Sequence, residues 1–323
     1  MTGLPDDVRS PLLRRSLGRT GLDVTALCVG GSPLGSVPDV FGYDVPEDRA
    51  LDTLAAVLAG PVNFLDTSAN YADGESERRI GRALSLGGGP PAGFVLATKA
   101  DRDAVTGDFS GPQVRRSVEA SLRRLGVDHL QLVHLHDPEH VTFEEAMEPG
   151  GPVEALLALR DEGVVGHVGV AGGPVELLRR FVATGAFEVV LTHSRWSLVD
   201  RSADRLIDDA TARGLGVLNA AVFGGGILAA PTGQRDSYGY RPLSESMRQR
   251  LERMRSVCGQ AGVSLAAAAL QFSLRDARVH STVVGISRPE RIEQALALAR
   301  APVPDDVFAA LDKHAGRPGE WLW

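Results

Sequence analysis

Val62-Asn63-Phe64-Leu65-Asp66-Thr67-Ser68-Ala69-Asn70-Tyr71 is the stretch that decides how this chain is read. A short apolar run ends in a carboxylate, and a phenol follows five positions later. Two more runs end in the same way: Phe94-Val95-Leu96-Ala97-Thr98-Lys99 closes on an ammonium, and Leu130-Gln131-Leu132-Val133-His134-Leu135-His136 on an imidazole. Short runs of this kind read as strands buried on both faces, the habit of parallel sheets. Parallel strands bring their carboxyl ends to one rim, so Asp66, Lys99 and His136, with Tyr71 just beyond, describe a single site. Together these groups suit proton exchange with a carbonyl or hydroxyl oxygen. Singly each has a plainer reading: the Asp as a cap, the Lys as a solvated charge, the Tyr as packing with a wet hydroxyl. Their coincidence at successive strand ends favours chemistry.

Outward from these runs, strand and helix signals alternate. A small hairpin turning at Gly18-Arg19-Thr20-Gly21 precedes strands at 24–30, 62–66, 94–99, 130–136, 166–170, 188–191, 216–220 and 279–285. Helices are expected at 46–58, 76–85, 110–125, 152–162, 174–184, 202–213, 245–261 and 289–300. Eight units in alternation predict an α/β fold, a (β/α)8 TIM barrel with an N-terminal hairpin and its site at the C-terminal rim. A doubly wound sheet is weakened because no G-x-G-x-x-G follows an early strand. One barrel domain over 1–323 is expected, with residues 1 to about 13 loosely ordered. The long irregular segments 100–109, 137–151 and 222–244 all follow strands and belong to the rim.

Composition agrees with such a core. The chain has 323 residues, 43% of them apolar, and no run approaching the roughly 18–20 apolar residues of a membrane span. The net charge of −7 argues against nucleic acid and anionic membrane as partners. Cys28 and Cys258 lie inside apolar patterns, as reduced core residues do, and the first fifteen residues show no apolar signal region. A cytoplasmic protein acting on a small molecule is the expectation.

At this point the ordered motifs resemble the aldo-keto reductase superfamily over nearly the whole chain. They are Asp66 with Tyr71, Gly74-Glu75-Ser76-Glu77, Ala97-Thr98-Lys99, Leu135-His136-Asp137-Pro138, Leu198-Val199-Asp200-Arg201, Gly226-Ile227-Leu228 and Ser287-Arg288-Pro289-Glu290-Arg291-Ile292. Gly226-Ile227-Leu228, the Tyr238-Gly239-Tyr240 loop and the run 266–272 are similar to the bacterial branch containing D-threo-aldose and L-fucose 1-dehydrogenases and pyridoxal 4-dehydrogenase. The resemblance implies NADP(H) or NAD(H) extended across the barrel mouth, hydride transfer to a carbonyl carbon, and no metal. Tyr71 would exchange the proton, Lys99 would lower the phenol pKa, Asp66 would hold Lys99, and His136 would orient the oxygen or relay the proton.

For the cofactor, the resemblance implies Gly31, Ser32, Gly172, Gly173, Phe223, Gly224, Gly226, Gly285, Arg288, Arg291 and Gln294. Several of these depart from the family pattern. Gly172-Gly173 stand where many members place the Asn that binds the carboxamide, and Ala220 stands where many stack a Tyr. Gly285 or Ile286 stands where a Lys meets the 2′-phosphate, and Gln294-Ala295 replace a Glu-Asn pair. Pro33, Trp196, Tyr238 and Tyr240 are expected to line the substrate pocket; Trp196 equally reads as packing.

Two other readings compete. One is a regulatory or binding barrel that has lost redox activity, like the potassium-channel β-subunits that share this fold. The other is a metal-dependent barrel hydrolase using His134 and His136, which leaves Asp66, Tyr71 and Lys99 unexplained. Residues two apart on a strand face the same way, so His134 would sit one layer deeper than His136, as a hydrogen-bonded core group.

Overall fold

The computed structural model describes residues 12–230, 235–239 and 241–321. Two short strands, β1 (Arg14–Ser16) and β2 (Asp23–Thr25), pair antiparallel, with Arg14 opposite Thr25 and Ser16 opposite Asp23. Eight further strands follow: β3 (Leu27–Gly30), β4 (Phe64–Asp66), β5 (Val95–Ala100), β6 (Leu130–His136), β7 (Val165–Gly172), β8 (Val189–His193), β9 (Gly216–Ala220) and, after a short hairpin of β10 (Ser237–Tyr238) and β11 (Arg241–Pro242), β12 (Ser281–Gly285). All eight are parallel and close in the order β12-β3-β4-β5-β6-β7-β8-β9. The closed ring places β9 across the barrel from β5.

Closure leaves an interior and an outer face, and the alternation of side chains fills both. Cys28, Phe64, Val95, Ala97, Leu132, Ala171, Val189, Leu191, Leu218 and Val283 form the interior cluster, joined by Leu17, Leu22 and Val24 of the hairpin. The hairpin is a plug: a Cβ placed on Gly216, at the start of β9, would lie 2.6 Å from Leu17 Cδ1. The N-terminal end of the barrel is therefore sealed, and the opposite end is the mouth. Cys28 and Cys258 are both buried free thiols.

The helices are α1 (Pro38–Phe41), α2 (Glu47–Ala59), α3 (Glu75–Leu86), α4 (Gly111–Leu125), α5 (Phe143–Met147), α6 (Pro152–Asp161), α7 (Val175–Thr184), α8 (Asp204–Ala212), α9 (Glu245–Gln260), α10 (Leu265–Leu274), α11 (Glu290–Arg300) and α12 (Asp305–Asp312). One departure from the expected alternation matters. The stretch between β9 and β12 holds two helices, and it is α10 that packs against β12 and α11, whereas α9 packs against α12 and the outer side of α10. Leu265-Ala266-Ala267-Ala268-Ala269-Leu270 is apolar all round, so it carries no 3.6-residue periodicity to announce a helix. Among the described residues, no single helix is long and apolar enough to cross a membrane.

Buried polar ties fix β5 to the helical layer. The Thr98 hydroxyl donates to Glu77 Oε1 at 2.6 Å, and Arg124 Nε donates to Glu77 Oε2 at 2.6 Å. A buried carboxylate persists only when its lone pairs are met in this way. The strand that carries Lys99 is thereby held to α3 and α4.

Candidate active site at the carboxyl ends of the strands

Strain marks the mouth. Among the described residues, the non-glycine residues with positive φ are Ser36, Ala72, Asp73, Asp137, Ser194 and Ala221, every one on a loop that follows a barrel strand. Each costs about 1–3 kcal/mol, a burden that surrounding structure must impose. Ala72 and Asp73 turn the chain between Tyr71 and α3, and this turn brings Tyr71 back over the strand ends. Gly35 permits it: a Cβ there would lie 2.6 Å from Ala72 Cβ.

Lys99 is the centre. Its ammonium donates to Asp66 Oδ2 at 2.7 Å, to the Thr67 carbonyl at 2.6 Å and to the Tyr71 hydroxyl at 3.1 Å. An ammonium has three hydrogens, so all are committed and none remains for a ligand. The side chain is 1% exposed. Burial alone would lower its pKa, but Asp66 and Tyr71 together outweigh this and raise it, so Lys99 stays protonated. Burial raises Asp66 in turn, with Lys99 pulling the other way.

The Tyr71 phenol departs from expectation. Burial pushes its pKa up to about 12, and Asp66 and Asp101 add to that, outweighing the downward pull of Lys99. Near neutrality the hydroxyl keeps its proton, so it is a donor. Its ring meets the edge of the His136 imidazole, with centroids 5.9 Å apart and planes at 85°.

His136 has a partner that strand-end reading missed. Its Nδ1 lies 2.6 Å from Oδ1 of Asp101, two residues beyond Lys99. Asp101 is buried and also accepts from the Ser68 hydroxyl at 2.6 Å and the Asn70 amide at 3.0 Å. The signal was available in the i, i+2 spacing from Lys99, the same spacing that links His134 and His136.

His134 lies below, fully buried, and a Cβ on Gly169 would fall 2.2 Å from its Nδ1. The expectation of a hydrogen-bonded core histidine is corrected: neither ring nitrogen has a hydrogen-bond partner among the described residues. Burial, with Lys99 next, holds its pKa well below the ordinary value, so it is neutral. Among the described residues, no three His, Cys, Asp or Glu side chains converge as a metal-ligand set.

The other half of the mouth is rich in glycine. Gly31 ends its strand's turn, its carbonyl accepting from Ser76 at 2.8 Å, and Ser32 beside it is half-buried. Gly172 ends β7 and Gly173 follows it; a Cβ on Gly173 would sit 2.8 Å from the Arg195 guanidinium, and one on Gly172 3.0 Å from Glu139 Oε2. Gly285 ends β12 in the open, beside Pro33. Phe223 is half-buried above a Gly224-Gly225-Gly226 turn whose φ angles are 57°, 69° and 100°. Arg288, Arg291 and Gln294, three apart, are all exposed at the start of α11.

Two pocket expectations are corrected. Trp196 is buried in the helical layer, its ring 5.2 Å from Phe272 and beneath the guanidiniums of Arg201 and Arg278. Tyr238 is buried too, its hydroxyl donating to the Ser194 carbonyl and 3.0 Å from the Ser197 hydroxyl, so it tethers its loop. Tyr240 lies outside the described residues. His193 ends β8, and burial lowers its pKa and leaves it neutral.

Comparison with known proteins follows the same lines. Residues 26–315 match the Aldo/keto reductase family. L-galactose dehydrogenase of Arabidopsis thaliana is 31% identical over 286 residues, covering 88% of this chain and 86% of that protein. D-threo-aldose 1-dehydrogenase of a Pseudomonas species is 30% identical, covering 90% and 94% respectively. Pyridoxal 4-dehydrogenase of Microbacterium luteolum is 30% identical, covering 92% and 96%. In three dimensions, an aldo-keto reductase from Bacillus halodurans in its holo form superposes with a TM-score of 0.77 at 22% identity, covering 94% of this chain and 96% of the other. That likeness concerns the fold.

Proposed function

The chain belongs to the aldo/keto reductase family and is a carbonyl–alcohol oxidoreductase, and we propose that its mouth interconverts a sugar lactol, or a similar hydroxyl compound, with the matching carbonyl product, with Tyr71 donating to the reacting oxygen. The observation that carries this is the Lys99 ammonium, bonded at once to Asp66, Thr67 and Tyr71. Two of the relatives are named as sugar dehydrogenases, which favours a lactol carbon as the reacting centre.

The family's nicotinamide cofactor fits the residues present. Gly285 at the end of β12 and Gly225 in the turn beyond β9 leave backbone exposed, with Ser32 and Gly226 half-buried, whereas Gly31, Gly172, Gly173 and Gly224 are buried, the last three against Glu139, Arg195 and Tyr238. Absent side chains let backbone amides approach a phosphate, and Arg288, Arg291 and Gln294 offer a cationic, amide-bearing stripe beside them. When bound, the nicotinamide takes or gives the hydride. The residues of the opposite half manage the oxygen. Tyr71 supplies a hydrogen to it, and Lys99 holds the phenol in place and stabilises charge that develops there. Asp66 fixes Lys99 by a charge-assisted bond.

Titration with NADPH and NADH tests this reading. Either should quench intrinsic fluorescence and raise the melting temperature by mass action. A panel of aldoses and aldehydes should then show turnover. Failure of both cofactors at high concentration would favour the regulatory barrel.

A further inference from the structure

The outer face of the helical layer carries a second concentration of charge. A groove of about 670 Å³ lies where α2, α3 and α4 meet. Five arginines line it: Arg78, Arg79 and Arg82 from α3, and Arg123 and Arg124 from the last turn of α4. Against them stand two lining carboxylates, Glu47 and Glu75. The chain as a whole has a net charge of −7, so the groove is a local reversal of sign.

The carboxylates hold these side chains by one edge. Glu75 accepts from Nε of Arg78 and Nε of Arg79, each at 2.8 Å, and the buried Glu77 accepts from Arg124 Nε at 2.6 Å. Gly74 lets Arg124 pass, since a Cβ there would lie 2.7 Å from its Nε. Arg79 is pinned further by the carbonyls of Leu34 and Val45, which accept from its Nη1 at 2.6 and 2.8 Å. Among the described residues, the terminal nitrogens of Arg78 and Arg124 have no acceptor, and the exposed Arg123 has no partner. The outer fork of a guanidinium matches the paired oxygens of a phosphoryl group. A stem already held loses little rotamer freedom when such a group binds.

We propose that this groove binds a small polyanion of the di- or triphosphate class, gripped by Arg78, Arg123 and Arg124. Arg82, paired with Glu47, flanks it. None of these residues belongs to the site around Lys99, so the proposal does not depend on the oxidoreductase reading. The volume falls within the roughly 300–1,000 Å³ of small-molecule sites, which favours a compact ligand over an extended chain. Ala120 is the one apolar side chain among the lining residues, so a base or an apolar side chain finds nothing to cover. Phosphoryl oxygens, which only accept, meet nitrogens that only donate.

Equilibrium dialysis of the full chain against inorganic tripolyphosphate at low salt tests this. The wild type should take up one equivalent, with an affinity that falls as salt is raised. Each charge-assisted contact removed should weaken binding about tenfold, so Arg123→Gln should lose about tenfold and Arg78→Gln/Arg123→Gln about 10²-fold. Both residues are exposed, so the variants should melt close to the wild type. Arg288→Gln/Arg291→Gln removes the same charge from the exposed start of α11 and should bind as the wild type does. ATP should bind no more tightly than tripolyphosphate, because the groove offers its base no surface. No uptake by the wild type overturns the proposal, and so does an affinity unchanged in Arg78→Gln/Arg123→Gln. Loss of binding in Arg288→Gln/Arg291→Gln, or a clear preference for ATP, places the anion elsewhere and overturns it as well.

Discussion

The Lys99 ammonium lies 3.1 Å from the Tyr71 hydroxyl and 4.6 Å from the centre of its ring, so one buried cation meets the phenol at both its oxygen and its face. This contact joins two strand ends into one reactive unit. It also means that the phenol's orientation depends on the charge and the reach of Lys99 together.

Lys99→Met keeps most of the stem and removes the cation. The Asp66 carboxylate would then be buried without its partner, which should cost about 3–5 kcal/mol of stability. Turnover should be lost at the same time, because among the described residues nothing else holds the Tyr71 hydroxyl. Urea unfolding and a cofactor-oxidation assay read the two effects, and an active variant of unchanged stability would show that Lys99 is a bystander.

Gly169→Ala examines the packing under the site. The new methyl would fall 2.2 Å from His134 Nδ1, in a barrel interior with no room to yield. Overpacking of this kind costs about 1–3 kcal/mol. Chemical denaturation should show the loss, whereas wild-type stability would mean that the His134 ring lies elsewhere.

How much of this was legible in the sequence depended on whether a residue's role is local. Asp66, Lys99 and His136 each terminate an apolar run, so topology alone carries them to one rim. Asp101 escaped because it falls one residue past the end of β5 and resembles any loop carboxylate until His136 is brought beside it. The helix α10 escaped because burial on nearly every side erases the polar face that would mark it. Trp196 and Tyr238 went astray for the opposite reason. An aromatic near the mouth can turn inward or into the helical layer, and only packing against Phe272, or a bond to Ser194, decides which.

The pair formed by Asp101 and His136 should also appear in the dependence of stability on pH. A raised imidazole contributes stability that is fully present below its unfolded value of about 6.5 and is lost as pH rises through the folded value. A depressed carboxylate contributes above its unfolded value of about 3.9, and that contribution is lost as pH falls through the folded value. The melting temperature of the wild type relative to Asp101→Asn should therefore be greatest between these limits and shrink on either side. A difference that does not vary with pH would mean the two groups are uncoupled.

The most direct measurement is carbonyl reduction by Tyr71→Phe, with cofactor affinity followed in the same preparation. Phenylalanine keeps the ring that meets His136 and removes only the oxygen that Lys99 holds. The account predicts a fall in turnover of about 10²–10⁴-fold, with cofactor affinity nearly unchanged because the glycine-rich half of the mouth is untouched. Turnover close to that of the wild type would contradict it.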